Sequence, residues 1–338
     1  MNSETLKTSS VGACWPPAES SHERIRGFYP EIIRDETQAD SLTEQLAVFQ
    51  SEFETEPETT RLSIRAVVAD DIIEQIGTLA ATMPIESAMP LFINRTSAFH
   101  IVYFGRNKQL RQVEAEEISD HTTRIISATE KEIYASDPSQ DLLQQGYIAE
   151  KYSELNANDV FNDVCRLYSK FGYDIQDTYD LLNNPSNSVV FARDHETGRV
   201  VSTVMAEHAN IDMEDETLPV LRVCEFTEAI TDPDMRKMGL YKKLSTFLRQ
   251  SLELDGEEPV HAVYGESNLS SIGVINSAHQ TGRTFSRLDT RYEALRVGTD
   301  SFGILQQNFK VIDGYETRAY NDFAVSYYDL ANIRAMSE

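Results

Sequence analysis

Val223-Cys224-Glu225-Phe226-Thr227-Glu228-Ala229-Ile230, continued by Thr231-Asp232-Pro233-Asp234 and then Met235-Arg236-Lys237-Met238-Gly239-Leu240-Tyr241, is the stretch that decides the fold. A β-rich run meets a short polar turn, a glycine follows inside a basic segment, and an amphipathic helix opens with Leu240, Leu244, Phe247, Leu248 and Leu252 on one stripe. A loop that turns from strand into helix points backbone N–H groups at whatever lies over the helix N-terminus, which suits a phosphate or pyrophosphate. Arg236 and Lys237 add fixed positive charge there. The helix dipole disfavours cations at that end unless an anion is present, so an anion-binding role outweighs that of a solvated basic turn.

The remainder of the chain is acidic. Its 338 residues carry 30 Lys and Arg against 55 Asp and Glu, a net charge of -25. A nucleic-acid partner would call for a basic face, so none is expected. The acidic surface accounts first for solubility and draws a cationic substrate only weakly. A hydrophobic share of 41% supports a sizeable core, in one large domain or two ordinary ones. Cys14, Cys165 and Cys224 show no paired spacing, which predicts neither a disulfide framework nor a zinc site and fits a reducing cytoplasm. His208 and His261 lack metal-ligand spacing, so no metal is expected. Met1-Asn2-Ser3-Glu4-Thr5-Leu6-Lys7 lacks the apolar core of a signal peptide, and no run has the length and apolarity to span a bilayer.

Three segments emerge along the chain. Residues 1–60 are polar, with Pro16-Pro17 and the acidic tract from Glu52 to Glu58, and read as a partly ordered extension. Residues 61–140 read as an N-terminal α/β domain. Leu62, Ile64, Ala66 and Val68 alternate as in a strand, and Asp70 caps a helix bearing Ile72, Ile73, Ile76, Leu79 and Ala80. A second strand, Ala98 to Phe104, completes a β-α-β unit, and 109–134 reads as helical. The main domain, 141–338, begins with a short strand at Tyr147. Asn156 or Asn158 caps a helix with Val160, Phe161, Val164, Leu167, Tyr168 and Phe171 on its apolar face, ended by Gly172. A short helix from Ile175 to Leu182 follows, then strands Val189–Ala192 and Val200–Ala206 about the turn Asp194-His195-Glu196-Thr197-Gly198. Beyond the Gly239 helix come a strand at His261–Tyr264, a helix over Leu269–Gln280 and a closing strand, Phe323–Tyr328.

This order (strand, two helices, hairpin, long strand, basic glycine turn, helix, strand, helix, strand) resembles the GCN5-related N-acetyltransferases over residues 147–330. The resemblance implies an α/β fold with a mixed, mostly antiparallel sheet flanked by helices, and the N-terminal domain would be a degenerate second copy of it. It also implies acetyl-coenzyme A, or another acyl-coenzyme A, as co-substrate. The family signature, Gln/Arg-x-x-Gly-x-Gly/Ala, is met by Arg236 and Gly239, while Tyr241 stands where a small residue is usual. By that match Arg236, Lys237, Met238, Gly239, Leu240 and Tyr241 would hold the pyrophosphate. Ala229, Ile230 and Thr231 would line the pantetheine arm, with Asn268 at the arm or as a helix cap. Glu225 to Pro233 and Tyr320 to Tyr328 are similar to the β-lysine N-acetyltransferase branch, with Glu228 in place of Asp.

Acyl transfer to an amine needs a polarised carbonyl, a group to take the ammonium proton and a way to stabilise the leaving thiolate. Glu225 and Glu228 are the candidates for the base or for a counter-ion to the amine. Three positions apart on a strand, they are expected on opposite faces, and a structural pairing with Arg222 or Arg236 is the competing role. Many family members use a Tyr on the last helix as the acid. That position falls on Ala278, which leaves His279 beside it as the replacement. The function implied is an N-acyltransferase acting on a small-molecule or amino-acid-like amine in the cytoplasm, with no nucleic-acid or membrane partner and with a homodimer admitted. Tyr241 and the missing Tyr favour a coenzyme A-binding module without catalysis as the alternative. A transferase of larger acyl or aminoacyl groups is the third reading.

Overall fold

The structure, a computed structural model, describes residues 24–55, 61–73, 75–76, 85–93, 96–107, 134–153, 156–212, 220–254, 260–268, 272–285, 304–307 and 321–328. In chain order the elements are β1 (Arg24–Ile33), α1 (Glu36–Thr55), β2 (Arg61–Ala69), β3 (Ile85–Ile93), β4 (Thr96–Asn107), α2 (Pro138–Gln144), β5 (Tyr147–Lys151), α3 (Ala157–Ser169) and α4 (Ile175–Asn183). They continue with β6 (Asn187–Asp194), β7 (Val200–Asp212), β8 (Val220–Thr231), α5 (Leu240–Leu254), β9 (Ala262–Asn268), α6 (Ile272–Gln280), β10 (Arg283–Phe285), β11 (Ile304–Gln307) and β12 (Asn321–Tyr328). The strands form one mixed, mostly antiparallel sheet ordered β10-β12-β9-β8-β7-β1-β2-β4-β3. Strands β6 and β5 extend from β7, and β11 pairs with β12. The parallel contacts are β1 with β2, β8 with β9, and the single pairing Glu31↔Asp212 that joins β1 to β7.

Local chemistry sets the joints. Gly172 (φ 93) follows α3, and the reciprocal capping box of Asp174 and Asp177 opens α4. The β6–β7 turn is held by the Asp194 carboxylate, which accepts from the Thr197 N–H and hydroxyl and from the Glu196 N–H, and Gly198 (φ 70) completes it. Asn156 precedes α3 without a side-chain cap bond; its amide donates to the Lys151 carbonyl and its oxygen accepts from the Ser153 N–H.

Four apolar layers position everything else. On one face of the central strands, Leu240, Leu244, Leu248 and Leu252 of α5 pack with Leu142 of α2 against Val204, Ala206, Cys224, Phe226 and Val263. Each fully buried side chain of this size stabilises by about 1.5–3 kcal/mol. On the opposite face, α3 and α4 cover Val189, Phe191, Val200, Met205 and Ile230. The rest of that face is covered by the N-terminal strands: Phe28, Ile32, Val67, Ile101 and Tyr103 meet Ala209, Ile211, Leu221, Val223 and Tyr264. The outer side of the N-terminal strands is closed by α1 through Ala39, Leu42, Leu46, Phe49 and Phe53. The sheet therefore turns back over itself, and the N-terminal strands are sandwiched between α1 and the central strands.

Residues 24–55, expected within a polar extension, form β1 and α1 instead. The expected β-α-β unit is also revised: β2 and β4 are antiparallel, and β3, unforeseen, pairs with β4. Ile72, Ile73 and Ile76 of the helix expected after Asp70 are buried, while its Leu79 and Ala80 lie outside the described residues. The helix expected over 109–134 also lies outside them, apart from Tyr134.

Candidate active site

Two strands that pair and then part create the site. Parallel pairing of β8 with β9 runs from Val223↔Ala262 to Phe226↔Gly265 and stops. Beyond that pair β8 continues to Thr231 along β7, and β9 continues to Asn268 along β12. Each strand is held by its outer neighbour, so a fork opens between them. At its vertex a Cβ on Gly265 would lie 2.6 Å from Arg283 Nη1 and 2.9 Å from the Phe226 carbonyl oxygen, so only glycine lets the chains approach this closely.

A bulge lies on the β8 side of the fork. The β7–β8 register passes from Met205↔Thr227 to Thr203↔Ile230, an extra residue on β8, and Glu228 has φ 42. Before the bulge Leu221 and Val223 share a face with Ala209 and Ile211; after it Ile230 joins Met205 on that face. The alternation that predicted opposite faces for Glu225 and Glu228 is therefore overturned. Glu228 reaches the α3–α4 connection, where the Tyr173 hydroxyl donates to its Oε2 and Thr227 Oγ1 lies 3.4 Å from its Oε1.

Glu225 has a different environment. It is 1% exposed, and its Oε2 lies 2.5 Å from Arg65 Nη1. Arg65, on β2, also places Nη2 3.8 Å from Glu266, donates to the Tyr264 hydroxyl at 3.2 Å, and lies 5.3 Å from the Tyr103 ring centroid. Burial works against the Arg65 charge. Glu225 beside it, with Tyr264, Tyr103 and Glu266 behind, nevertheless holds the guanidinium well above its ordinary range. Glu225 thus pairs with Arg65 from the N-terminal strands, a partner other than the expected Arg222 or Arg236.

The far end of the fork leads into the basic turn. Pro233–Met235 forms one 3-10 turn, capped by the Asp232 carboxylate on the Asp234 N–H. Burial pushes the Asp232 carboxyl up, but the Lys170 ammonium at 2.7 Å, the Asp234 N–H and Arg166 at 3.6 Å hold it below the usual range. Arg236, Lys237 and Met238 are exposed, and the Arg236 guanidinium lies 5.9 Å from the Phe171 ring centroid. Lys237 (φ 70) and Gly239 (φ 73) both adopt left-handed backbone. The Lys243 N–H reaches back to the Gly239 carbonyl at 3.2 Å, so the N–H groups of Leu240, Tyr241 and Lys242 stand at the open N-terminus of α5. Exposed cations, left-handed backbone and free helical donors together fit a diphosphate.

Tyr241 does not cover this turn. Its hydroxyl lies 2.5 Å from Arg283 Nη2 and its ring packs on the core beneath α5. Ala229 is exposed, whereas Ile230 is buried and its carbonyl accepts from Ser202 Oγ at 3.1 Å. Thr231 Oγ1 lies 2.7 Å from the same hydroxyl. Asn268 ends β9, its backbone paired with Phe323, and residues 269–271 between it and Ile272 of α6 lie outside the described residues. His279 is half-buried in the last turn of α6, and Ala278 beside it is fully buried. Sequence reasoning did not single out Tyr173, Arg65 or Arg283. The first two act across long sequence separations, and Arg283 directly follows a helix-ending glycine, so no local pattern marks them.

No family model and no curated protein matches the chain. Part of it is similar to solved acetyltransferase structures. Arabidopsis thaliana NAA60 in complex with a bisubstrate analogue is 12% identical with a TM-score of 0.38, over 54% of this chain and 97% of that one. An aminoglycoside acetyltransferase from an uncultured soil metagenomic sample, in complex with sisomicin, is 16% identical with a TM-score of 0.32, over 52% and 98%. Ribosomal-protein-alanine N-acetyltransferase from Brucella melitensis is 17% identical with a TM-score of 0.26, over 34% and 77%. These likenesses are partial.

Proposed function

We propose that the chain is an acyl-coenzyme A-dependent N-acyltransferase whose acceptor is a small-molecule or amino-acid-like amine. The observation that carries this reading is the fork between β8 and β9 opening directly into the Arg236–Gly239 turn at the N-terminus of α5. When bound, an acyl-coenzyme A supplies an activated acyl carbon and a thiolate leaving group. The turn holds the diphosphate through Arg236, Lys237 and the first N–H groups of α5. Ala229, exposed past the bulge, leaves backbone of the β8 edge open to an extended ligand arm.

Glu228 is the carboxylate that handles the acceptor amine. It stands at the bulge, fixed by Tyr173, on the face that α3 and α4 share with the fork. A carboxylate there pairs with the incoming ammonium and takes its proton, directly or through water, before the nitrogen attacks. Glu225 is committed to Arg65 and serves the architecture of the fork. The similarity of Glu225–Pro233 to the β-lysine branch supports an acceptor with amino-acid character. Tyr241, whose bulk had favoured a non-catalytic module, turns into the core and leaves the diphosphate turn open.

A thermal-shift panel of acyl-coenzyme A species tests the reading. Acetyl-coenzyme A is expected to raise the melting temperature, and Arg236→Ala combined with Gly239→Trp is expected to abolish the rise. Absence of any shift with acyl-coenzyme A species and free coenzyme A would sink the proposal.

A further inference from the structure

Arg283 opens β10 just after Gly282 (φ 88) ends α6, and it is 2% exposed. Among the described residues no carboxylate pairs with it. Its Nη2 meets the Tyr241 hydroxyl, while Nε and Nη1 have no hydrogen-bond partner there. Three aromatic rings surround the guanidinium, with centroids at 5.8 Å (Phe226), 6.0 Å (Tyr241) and 5.7 Å (Tyr328). The unpartnered Nη1 is the atom against Gly265, at the vertex of the fork.

A buried cation without a counter-ion is costly, because aromatic faces recover only part of its lost hydration. Among the described residues, the guanidinium edge at Nε and Nη1 is therefore left open to an anion. The groups facing it are Tyr241 from α5, Tyr328 from β12 with Arg249 of α5 stacked beyond it, Phe226 from β8 and the Gly265 backbone of β9. Burial holds the Tyr328 hydroxyl above its ordinary range, so it stays neutral and supplies no counter-charge.

We propose that Arg283 is a catalytic residue that stabilises the thiolate leaving group at the vertex of the fork, in place of a proton-donating acid. The inference rests on the acyltransferase reading above. The acceptor nitrogen forms its bond to the acyl carbon as the carbon–sulfur bond breaks, and that bond's electron pair leaves on sulfur. Two protons leave the nitrogen: the ammonium's first passes through Glu228 to water before attack, and the second passes to Glu228 as the amide forms. Arg283 keeps all its protons, since a guanidinium does not lose one in this range, and neutralises the sulfur by charge alone. The thiolate takes a proton from solvent after release. Ala278, at the position where the family resemblance expects a tyrosine acid, has no proton to give, and Arg283 removes the need for one.

The test is the ionisation of free coenzyme A bound to the protein, followed by the ultraviolet absorbance of its thiolate as pH is raised. An adjacent fixed cation favours the thiolate, so the bound thiol is expected to ionise about 1–3 pH units below the free one. Arg283→Met is expected to return it to the free value, and Arg283→Lys to preserve most of the shift. Tyr241→Phe, which leaves the ring and removes the hydroxyl that orients the guanidinium, is expected to give an intermediate value and keeps the test decisive if Arg283→Met does not fold. Coenzyme A that binds with an unshifted thiol, or whose shift survives unchanged in Arg283→Met or Tyr241→Phe, overturns the role of Arg283 alone. Failure of coenzyme A to bind the wild-type chain overturns the acyltransferase reading and this inference together.

Discussion

Replacing Arg65 with methionine tests whether the ion pair beneath the fork is structural. Methionine keeps the apolar stem between Tyr103 and Tyr264 and removes the charge. The structure then leaves Glu225, with a side chain 2% exposed, and Glu266, 9% exposed, without that cation. Removing one partner of a buried ion pair costs about 3–5 kcal/mol, because the remaining charge stays desolvated. With a urea m-value of about 3 kcal/mol per molar, the unfolding midpoint of Arg65→Met is expected to fall by at least about 1 M. Glu225→Gln added to Arg65→Met removes the stranded charge nearest the lost guanidinium. The double variant should therefore be more stable than the sum of the single changes by about 2 kcal/mol, within the range for contacting residues. Urea melts followed by circular dichroism across the four proteins give the cycle. A loss under about 1 kcal/mol in Arg65→Met, or strict additivity, would refute the structural assignment of Glu225 and return it to the list of bases.

Glu228→Gln should lower kcat by about 10²–10⁴-fold while the acetyl-coenzyme A thermal shift persists, as steady-state kinetics and melts on one preparation would show; unchanged kcat removes Glu228 from the mechanism. Gly265→Ala drives a methyl to 2.6 Å from Arg283 Nη1 and 2.9 Å from the Phe226 carbonyl, and should lower both Tm and coenzyme A affinity, whereas Gly198→Ala, with open space around its Cβ, should leave the affinity untouched. Burial, then Lys151 and Arg222, depress the His208 imidazole below its ordinary value. The unfolded chain takes up that proton near pH 6.5 while the folded chain resists it. Stability from this residue is therefore unaffected above about pH 6.5 and falls as pH drops through it. His208→Gln should flatten that part of the Tm–pH curve relative to wild type, and parallel curves would exclude the effect.

Regular periodicity was legible, and the elements that escaped sequence reading lack it or hide it. The leucine stripe of α5 and the alternation of Leu62, Ile64, Ala66 and Val68 in β2 each follow from one apolar face packed on its own core layer. In α1, Leu42, Leu46, Phe49 and Phe53 keep helical spacing, but the acidic and polar residues between them dominate the composition of 1–60 and masked it. β3 carries Pro90, which argues against a central strand, and β3 accordingly stands at the end of the sheet order. The basic turn was legible because glycine and two cations at a helix start conflict with plain local preference. The bulge was not, because a non-glycine residue at φ 42 leaves no mark in the sequence.

The assignment of the two glutamates turns on groups the local sequence cannot contain. Glu225 and Glu228 share one short stretch and the same chemistry, and strict alternation would leave only one of them facing the acceptor. The extra residue in β8 brings both to the side of the sheet covered by α3, α4 and the N-terminal strands, so facing no longer distinguishes them. Solvation and charge do. Arg65 neutralises Glu225 inside a buried sandwich, where exchanging a proton with an acceptor would mean breaking a buried ion pair. Glu228 is only partly buried, beyond the last β8–β9 pair, with a tyrosine hydroxyl to orient it and a path to water. On the proposed mechanism the N-terminal strands act indirectly: their Arg65 holds Glu225 beside the vertex of the fork, where Arg283 Nη1 lies against Gly265, and leaves Glu228 as the carboxylate for the acceptor.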